Sequence, residues 1–216
     1  MTKQHTSESE KLVSLLHQAN ELRSRGEYEA ALQVYFFDVL HNFGESADLL
    51  AMIASCYYHL SRYYEAVFFI EKAIRLAPDD ARLHAALGEY HALGTLEVER
   101  AAEEYRKAIE LNPNYVEALA EAAVLLRDLP EQVVTLDEAI NWLERATQLS
   151  PNNPDHHFWL GEIYWEAGRV VDAEREWVKA LLCPRPLELI NAKSIKKRLV
   201  NDSDSLRRLE DDTNIN

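Results

Sequence analysis

Five alanines recur along the chain at near-constant spacing: Ala31, Ala66, Ala101, Ala139 and Ala173. Four residues after each comes a large side chain, Tyr35, Ile70, Tyr105, Leu143 or Trp177. Four residues is about one helical turn, so each pair shares a helix face, with the small residue leaving room for a crossing helix. The interval of 34 to 38 residues is the length of one supersecondary unit copied along a chain. Such units cannot bury an apolar face alone and are stable only when stacked. Twelve residues after the middle three alanines stands a proline, Pro78, Pro113 or Pro151. Each stops a helix and sets a turn into the next unit.

A second pattern precedes each alanine. It reads Leu160-Gly161 with Tyr164, Leu87-Gly88 with His91, and Ile53-Ala54 with Tyr57. Ala122-Ala123 with Leu126, and Gln18-Ala19 with Leu22, are degenerate copies. Gly26 and Gly168 fall at the turn inside a unit, where glycine accepts a positive φ at little cost.

On these residues the chain resembles the tetratricopeptide repeat family from about Leu12 to Pro186. The resemblance implies an all-α fold, a right-handed α-solenoid of about five helix-turn-helix repeats with a C-terminal capping helix. The expected hairpins cover about 12–46, 47–80, 81–115, 116–153 and 154–186, between a flexible tail at 1–9, a cap at 187–200 and an acidic flexible tail at 201–216. The third repeat carries one extra residue around Leu93-Gly94-Thr95, and the fourth about four between Leu129 and Thr135. Both insertions are expected in the turn between paired helices. The first repeat has Asp38 where its successors have Ala73, Ala108, Ala146 and Ala180, and Phe43 in place of the proline. That predicts a looser or tilted first junction.

The ends read as caps. Ser7 and Glu10 have capping-box spacing for the first helix. After Pro186, Ile190, Ile195 and Leu199 line one side of a helix, and Lys193, Lys196, Lys197 and Arg198 form a solvated outer face. Leu206 and Leu209 are candidates to extend that helix.

Composition narrows the function classes. A formal net charge of -14 opposes nucleic-acid binding, which draws its affinity from clustered Lys and Arg, and suits a basic or mixed-charge partner. Hydrophobic residues at 47% are enough for a core. No stretch approaches the roughly 18 apolar residues of a membrane span, and no secretory leader is visible. Cys56 and Cys183 form no metal or redox motif, so the expectation is a cytoplasmic protein with reduced thiols and no membrane insertion.

Function is expected in binding, with no cofactor and no catalytic residues. The resemblance implies that the first helices of successive hairpins line a concave groove. Projected onto this sequence, the groove takes His17, Asn20 and Arg23, then Asp48, Met52, Ser55 and Tyr58, then Arg82 and Glu89. Glu117, Glu121 and Arg127 follow, then Asp155, Phe158, Trp159, Glu162 and Trp165. Chaperone-binding members of the family resemble one another in a clamp of Lys, Asn and Arg for terminal carboxylates. Here Asn20 and Arg82 match it, but Leu16, Met52 and Ala86 do not, so the clamp is rejected. What remains is an acidic groove ending in Phe158, Trp159 and Trp165, either as anchors for basic or apolar side chains or packed under the cap.

A second interface is open to Phe36, Phe37, Phe68 and Phe69, which make two second helices apolar nearly all round. His84 and His91 are read as packing residues, and the adjacent His156 and His157 have poor ligand geometry, so no metal site is expected. No phosphate loop, His-Glu-x-x-His or nucleophile elbow is present. The leading reading is a non-enzymatic scaffold binding a peptide or helix of another protein. The alternatives are a self-assembling module, as a homodimer through the Phe residues, and a non-catalytic accessory subunit of an enzyme complex.

Overall fold

The computed structural model describes residues 2–127, 133–185 and 187–201, which form helices and turns and no strand. They divide into two compact units, one ending at Leu111 and the other beginning at Asn112. In the first unit, α1 (Thr2–Ser24) packs on α2 (Tyr28–Gln33), which continues through a π-helical stretch, Val34–Leu40, into α3 (His41–Phe43). Next come the hairpin of α4 (Ala47–His59) and α5 (Tyr63–Leu76), then α6 (Ala81–Glu89), a π-helical turn Tyr90–Thr95, and α7 (Val98–Leu111). In the second unit, α8 (Val116–Arg127) pairs with α9 (Leu136–Leu149), and α10 (Pro154–Glu166) pairs with α11 (Val170–Leu182). Helix α12 (Leu189–Asn201) then packs on α11.

The repeated alanines are buried where the helices pack. Ala31, Ala66, Ala101, Ala139 and Ala173 are fully buried, as are Tyr35, Tyr105 and Leu143, with Ile70 and Trp177 nearly so. On the first helices the small residue is just as constrained. A Cβ at Gly88 would sit 2.9 Å from the Tyr105 ring, and one at Gly161 would sit 2.4 Å from Cδ1 of Trp177.

Helix starts are capped by short polar side chains, as orphan amides require. Ser46, Asp80, Thr135 and Asn153 accept from the backbone N–H of Leu49, Arg82, Glu138 and Asp155. Inside four hairpins, the position five residues before the alanine is left-handed: Gly26, Ser61, Leu96 and Gly168, with φ of +78, +59, +59 and +73°. The next residue closes the turn by donating back to the first helix, from Glu27, Arg62 and Arg169 to the carbonyls of Leu22, Tyr57 and Tyr164.

The irregular repeats differ from expectation in an instructive way. The extra residue of the third repeat does not bulge in the turn. It is absorbed by the π-helical turn Tyr90–Thr95, and the closing bond is lengthened by one residue, Glu97 N–H to His91 O at 3.0 Å. In the first repeat the π-helical stretch advances the register by one. Asp38 therefore points to solvent, and Val39, 2% exposed, takes the buried slot that Ala73, Ala108 and Ala146 fill elsewhere. Leu129 and Pro130, within the insertion of the fourth repeat, lie outside the described residues.

Two corrections concern the ends. Helix α1 begins at Thr2, so Ser7 and Glu10 lie within it and the capping-box reading fails. In α12, Ile195 and Leu199 are buried, and Lys193, Lys196 and Lys197 face solvent as expected. Arg198 does not join that solvated face: it turns inward onto α10. The side chain of Ile190, together with Leu206 and Leu209, lies outside the described residues.

Candidate protein-binding faces

In the first unit, α1, α4 and α6 each contribute to a linked polar and aromatic surface. Asn20 and Arg23 are half-buried on α1, and the Tyr35 hydroxyl donates to Asn20 Oδ1 at 2.8 Å. Burial raises the Tyr35 pKa, opposed by the nearby Arg23 guanidinium. Nε of Arg23 is buried with no hydrogen-bond partner among the described residues. On α4, Tyr58 stacks on Tyr90 with ring centroids 4.6 Å apart and lies beside the Glu89 carboxylate. Burial pushes the Glu89 carboxyl above the usual carboxylate range, against the pull of Tyr58 and of His59. His59 stacks in turn on Tyr28 at 4.7 Å. Beneath them Cys56 is buried and its thiol is pushed up to about 11, which makes it inert at neutral pH.

The chemistry of this face is therefore mixed. It presents a guanidinium and an amide at one end, a carboxylate at the other, and aromatic surface between them. Ser55 lies half-buried on the same helix as Tyr58, and His17 is exposed on α1. Met52 is instead packed against the first hydrophobic core. Arg82 is shared between Asp48 at 3.3 Å and Asp80 at 2.6 Å, so this end keeps an exposed acidic excess.

In the second unit, Glu117 and Glu121 are exposed on α8, while the side chain of Arg127 lies outside the described residues. Asp155 pairs with Arg185. Phe158 is buried and meets the half-buried Trp159 edge-on at 4.9 Å. Glu162 accepts from Arg198 of α12 at 2.5 Å, and the same guanidinium lies 5.0 Å from the ring centre of Trp177 and 6.0 Å from that of Trp165. The capping helix thus meets Glu162, Trp165 and Trp177.

The four Phe residues separate into two pairs. Phe36 and Phe69 pack inward, edge to face at 5.5 Å, with Tyr57 stacked on Phe69 at 5.4 Å. Phe37 and Phe68 are 73% and 54% exposed.

Sequence reasoning missed one device. His84 lies between Pro78 O, 3.0 Å from Nε2, and Glu104 Oε2, 2.6 Å from Nδ1. His157 repeats this with Pro151 O at 2.9 Å and Glu176 Oε2 at 2.6 Å. These two histidines, read as a packing residue and as a poor metal ligand, also tie a turn to a second helix. The signal was present: a His six residues after the turn proline, and a Glu three residues after the repeated alanine. Among the described residues no group of three side chains is placed to hold a metal ion, and no helix is long and apolar enough to cross a membrane.

Comparison with known proteins agrees with this architecture. Profiles of the tetratricopeptide repeat match residues 47–80, 81–115 and 135–168. The human RanBP2-like and GRIP domain-containing protein 3 is 31% identical over 166 residues, 73% of this chain. The human E3 SUMO-protein ligase RanBP2 is 30% identical over the same length. The chain spans only 9% and 5% of these relatives. Among solved structures, YrrB, described as a TPR protein with an unusual peptide-binding site, is 26% identical with a TM-score of 0.63, covering 91% of this chain and 97% of its own. MamA is 22% identical with a TM-score of 0.64, covering 76% and 92%.

Proposed function

We propose that this chain, a tetratricopeptide-repeat protein and so a protein-interaction scaffold, takes a peptide or helix of its partner on the face built by α1, α4 and α6. The observation that carries this reading is the set of Asn20, Arg23, Tyr58 and Glu89 on three successive first helices, with Arg23, Tyr58 and Glu89 all within electrostatic reach of Tyr90. Asn20, Arg23 and Glu89 are each half-buried, so polar groups of both signs flank the aromatic surface where a ligand would lie. The stacked Tyr58 and Tyr90 give the rigid aromatic surface on which interfaces concentrate their affinity. YrrB, by its description, binds peptide through the same kind of fold, which supports the reading.

The face suits a ligand that pairs a carbonyl or carboxylate near Arg23 with a donor near Glu89. The role is non-catalytic, and the two unpaired thiols fit a reducing cytoplasm. Cross-linking the chain to a co-purified partner and mapping the links by mass spectrometry tests it. Links on α1, α4 and α6 are expected; links confined to α2, α5 and α7 would contradict it.

A second reading, self-association, is favoured by one observation: Phe37 and Phe68 are large, apolar and exposed on the same unit.

A further inference from the structure

The Arg198 contact carries more than a cap requires. A terminal helix of a solenoid has to cover an apolar face, and Ile195 and Leu199, both buried, do that. Arg198 adds a guanidinium set between a carboxylate and two indoles. Glu162 Oε1 is 2.5 Å from Nη1, and the rings of Trp177 and Trp165 lie within the range of cation–π attraction. Both charged side chains are mostly withdrawn from water, at 19% and 36% exposure, which strengthens their attraction relative to a surface pair. A planar guanidinium can stack on an indole and bond a carboxylate at once, which an ammonium does poorly. Trp165 remains 45% exposed beside it, so the corner is open on one side.

Helix α12 is also loosely joined. The described residues before it, 183–185 and 187–188, are not helical, and it packs on α11 with Arg198 reaching α10. Its exposed lysines, Lys193, Lys196 and Lys197, form no ion pair among the described contacts. A tethered segment of this kind acts as a ligand at high effective concentration, and a free segment with the same side chains can replace it.

We propose that Glu162, Trp165 and Trp177 form a guanidinium-binding site, which α12 fills in cis with Arg198 and which an arginine-bearing helix of a partner takes in trans. The ligand presents an apolar residue, then Arg three positions on and a second apolar residue directly after, as Ile195, Arg198 and Leu199 do. This inference rests on the scaffold reading but names a second site, on α10 and α11.

The test uses the full chain and a labelled synthetic peptide copying residues 187–201, read by fluorescence anisotropy. Arg198→Ala should bind the peptide at least tenfold more tightly than wild type, because the competitor in cis has lost its anchor. Adding Glu162→Gln, or replacing the peptide's arginine by lysine, should remove most of that gain. Equal binding by wild type and Arg198→Ala, or equal binding of the arginine and lysine peptides, would overturn it. A purely structural cap would lower the melting temperature of Arg198→Ala without raising its affinity for the peptide. Should Arg198→Ala not fold, Arg198→Lys keeps the charge and the apolar packing and should still bind the arginine peptide better than wild type. Ser55→Arg, on the α1–α4–α6 face, should leave this binding unchanged, so failure here and failure of the first face are separate results.

Discussion

His157 and Glu176 meet at 2.6 Å inside the last hairpin, and His84 and Glu104 meet at the same distance in the third. In the second hairpin the corresponding residues are Leu50 and Phe69, which pack in one core, and in the fourth they are Leu119 and Trp142, both buried. A His–Glu pair thus alternates with an apolar pair at one position of the repeat. Both nitrogens of each histidine face acceptors, so the protonated ring satisfies the turn carbonyl and the carboxylate together.

The His157 pair predicts a pH window. The Glu176 carboxylate beside it raises the His157 pKa, and the bonds from His157 and Lys179 hold Glu176 low against burial. The raised histidine contributes stability that is complete below its unfolded pKa and is lost as pH rises through the folded value. The depressed carboxylate contributes stability that is complete above its unfolded pKa and is lost as pH falls through the folded value. Wild type should therefore exceed His157→Gln most between about pH 4.5 and 6.5, by about 2 kcal/mol, with the gap shrinking toward pH 9 in thermal melts. His156, whose pKa is lowered by burial and by the neighbouring His157 charge against the pull of Asp155, shifts with the same substitution and contributes to the difference. His157→Leu with Glu176→Phe, copying the second hairpin, should flatten the pH dependence at little cost.

Gly161→Ala should be among the most damaging small changes. Helix propensity favours alanine by about 1 kcal/mol, yet the new Cβ would meet Trp177 at 2.4 Å and the Ala173 carbonyl at 3.1 Å. The net loss should be about 2–3 kcal/mol in urea melts, and larger than for Gly88→Ala, where the nearest atom is at 2.9 Å.

Leu96→Gly should stabilise the protein. Leu96 is left-handed and 68% exposed, so glycine removes strain and little packing. A gain of about 0.5–1 kcal/mol is expected by the same melts, and Gly168→Ala, at the equivalent turn, should lose about as much.

The Phe pairs should separate cleanly. Phe36→Ser, which breaks an inward ring cluster, should cost about 2–4 kcal/mol. Phe37→Ser with Phe68→Ser should leave stability within about 0.5 kcal/mol, and any mass change in light scattering would locate self-association on that surface.

Much of the architecture was legible because a repeat states its packing rule several times. Ala66, Ala101 and Ala173 repeat one steric requirement, and any one alone would be an unremarkable helical residue. The π-helical turns were not legible, since a single extra residue reads the same whether a loop bulges or a helix widens. Asp38 looked like a defect for that reason, while Val39, one residue on, carried the packing. The binding faces were only partly legible. Spacing places Tyr58 and Glu89 on first helices, but their contact depends on how successive hairpins pack. Arg198 was assigned to the solvent side of its helix because the run of basic residues conceals which one meets a carboxylate.

The most direct test of the scaffold account is the affinity of a purified partner for wild type and for Ser55→Arg/Glu89→Gln, measured by calorimetry after co-purification has supplied that partner. Ser55→Arg obstructs the face and Glu89→Gln removes its carboxylate. The account predicts at least a tenfold loss of affinity with the melting temperature little changed. Undiminished affinity in a folded variant would contradict it.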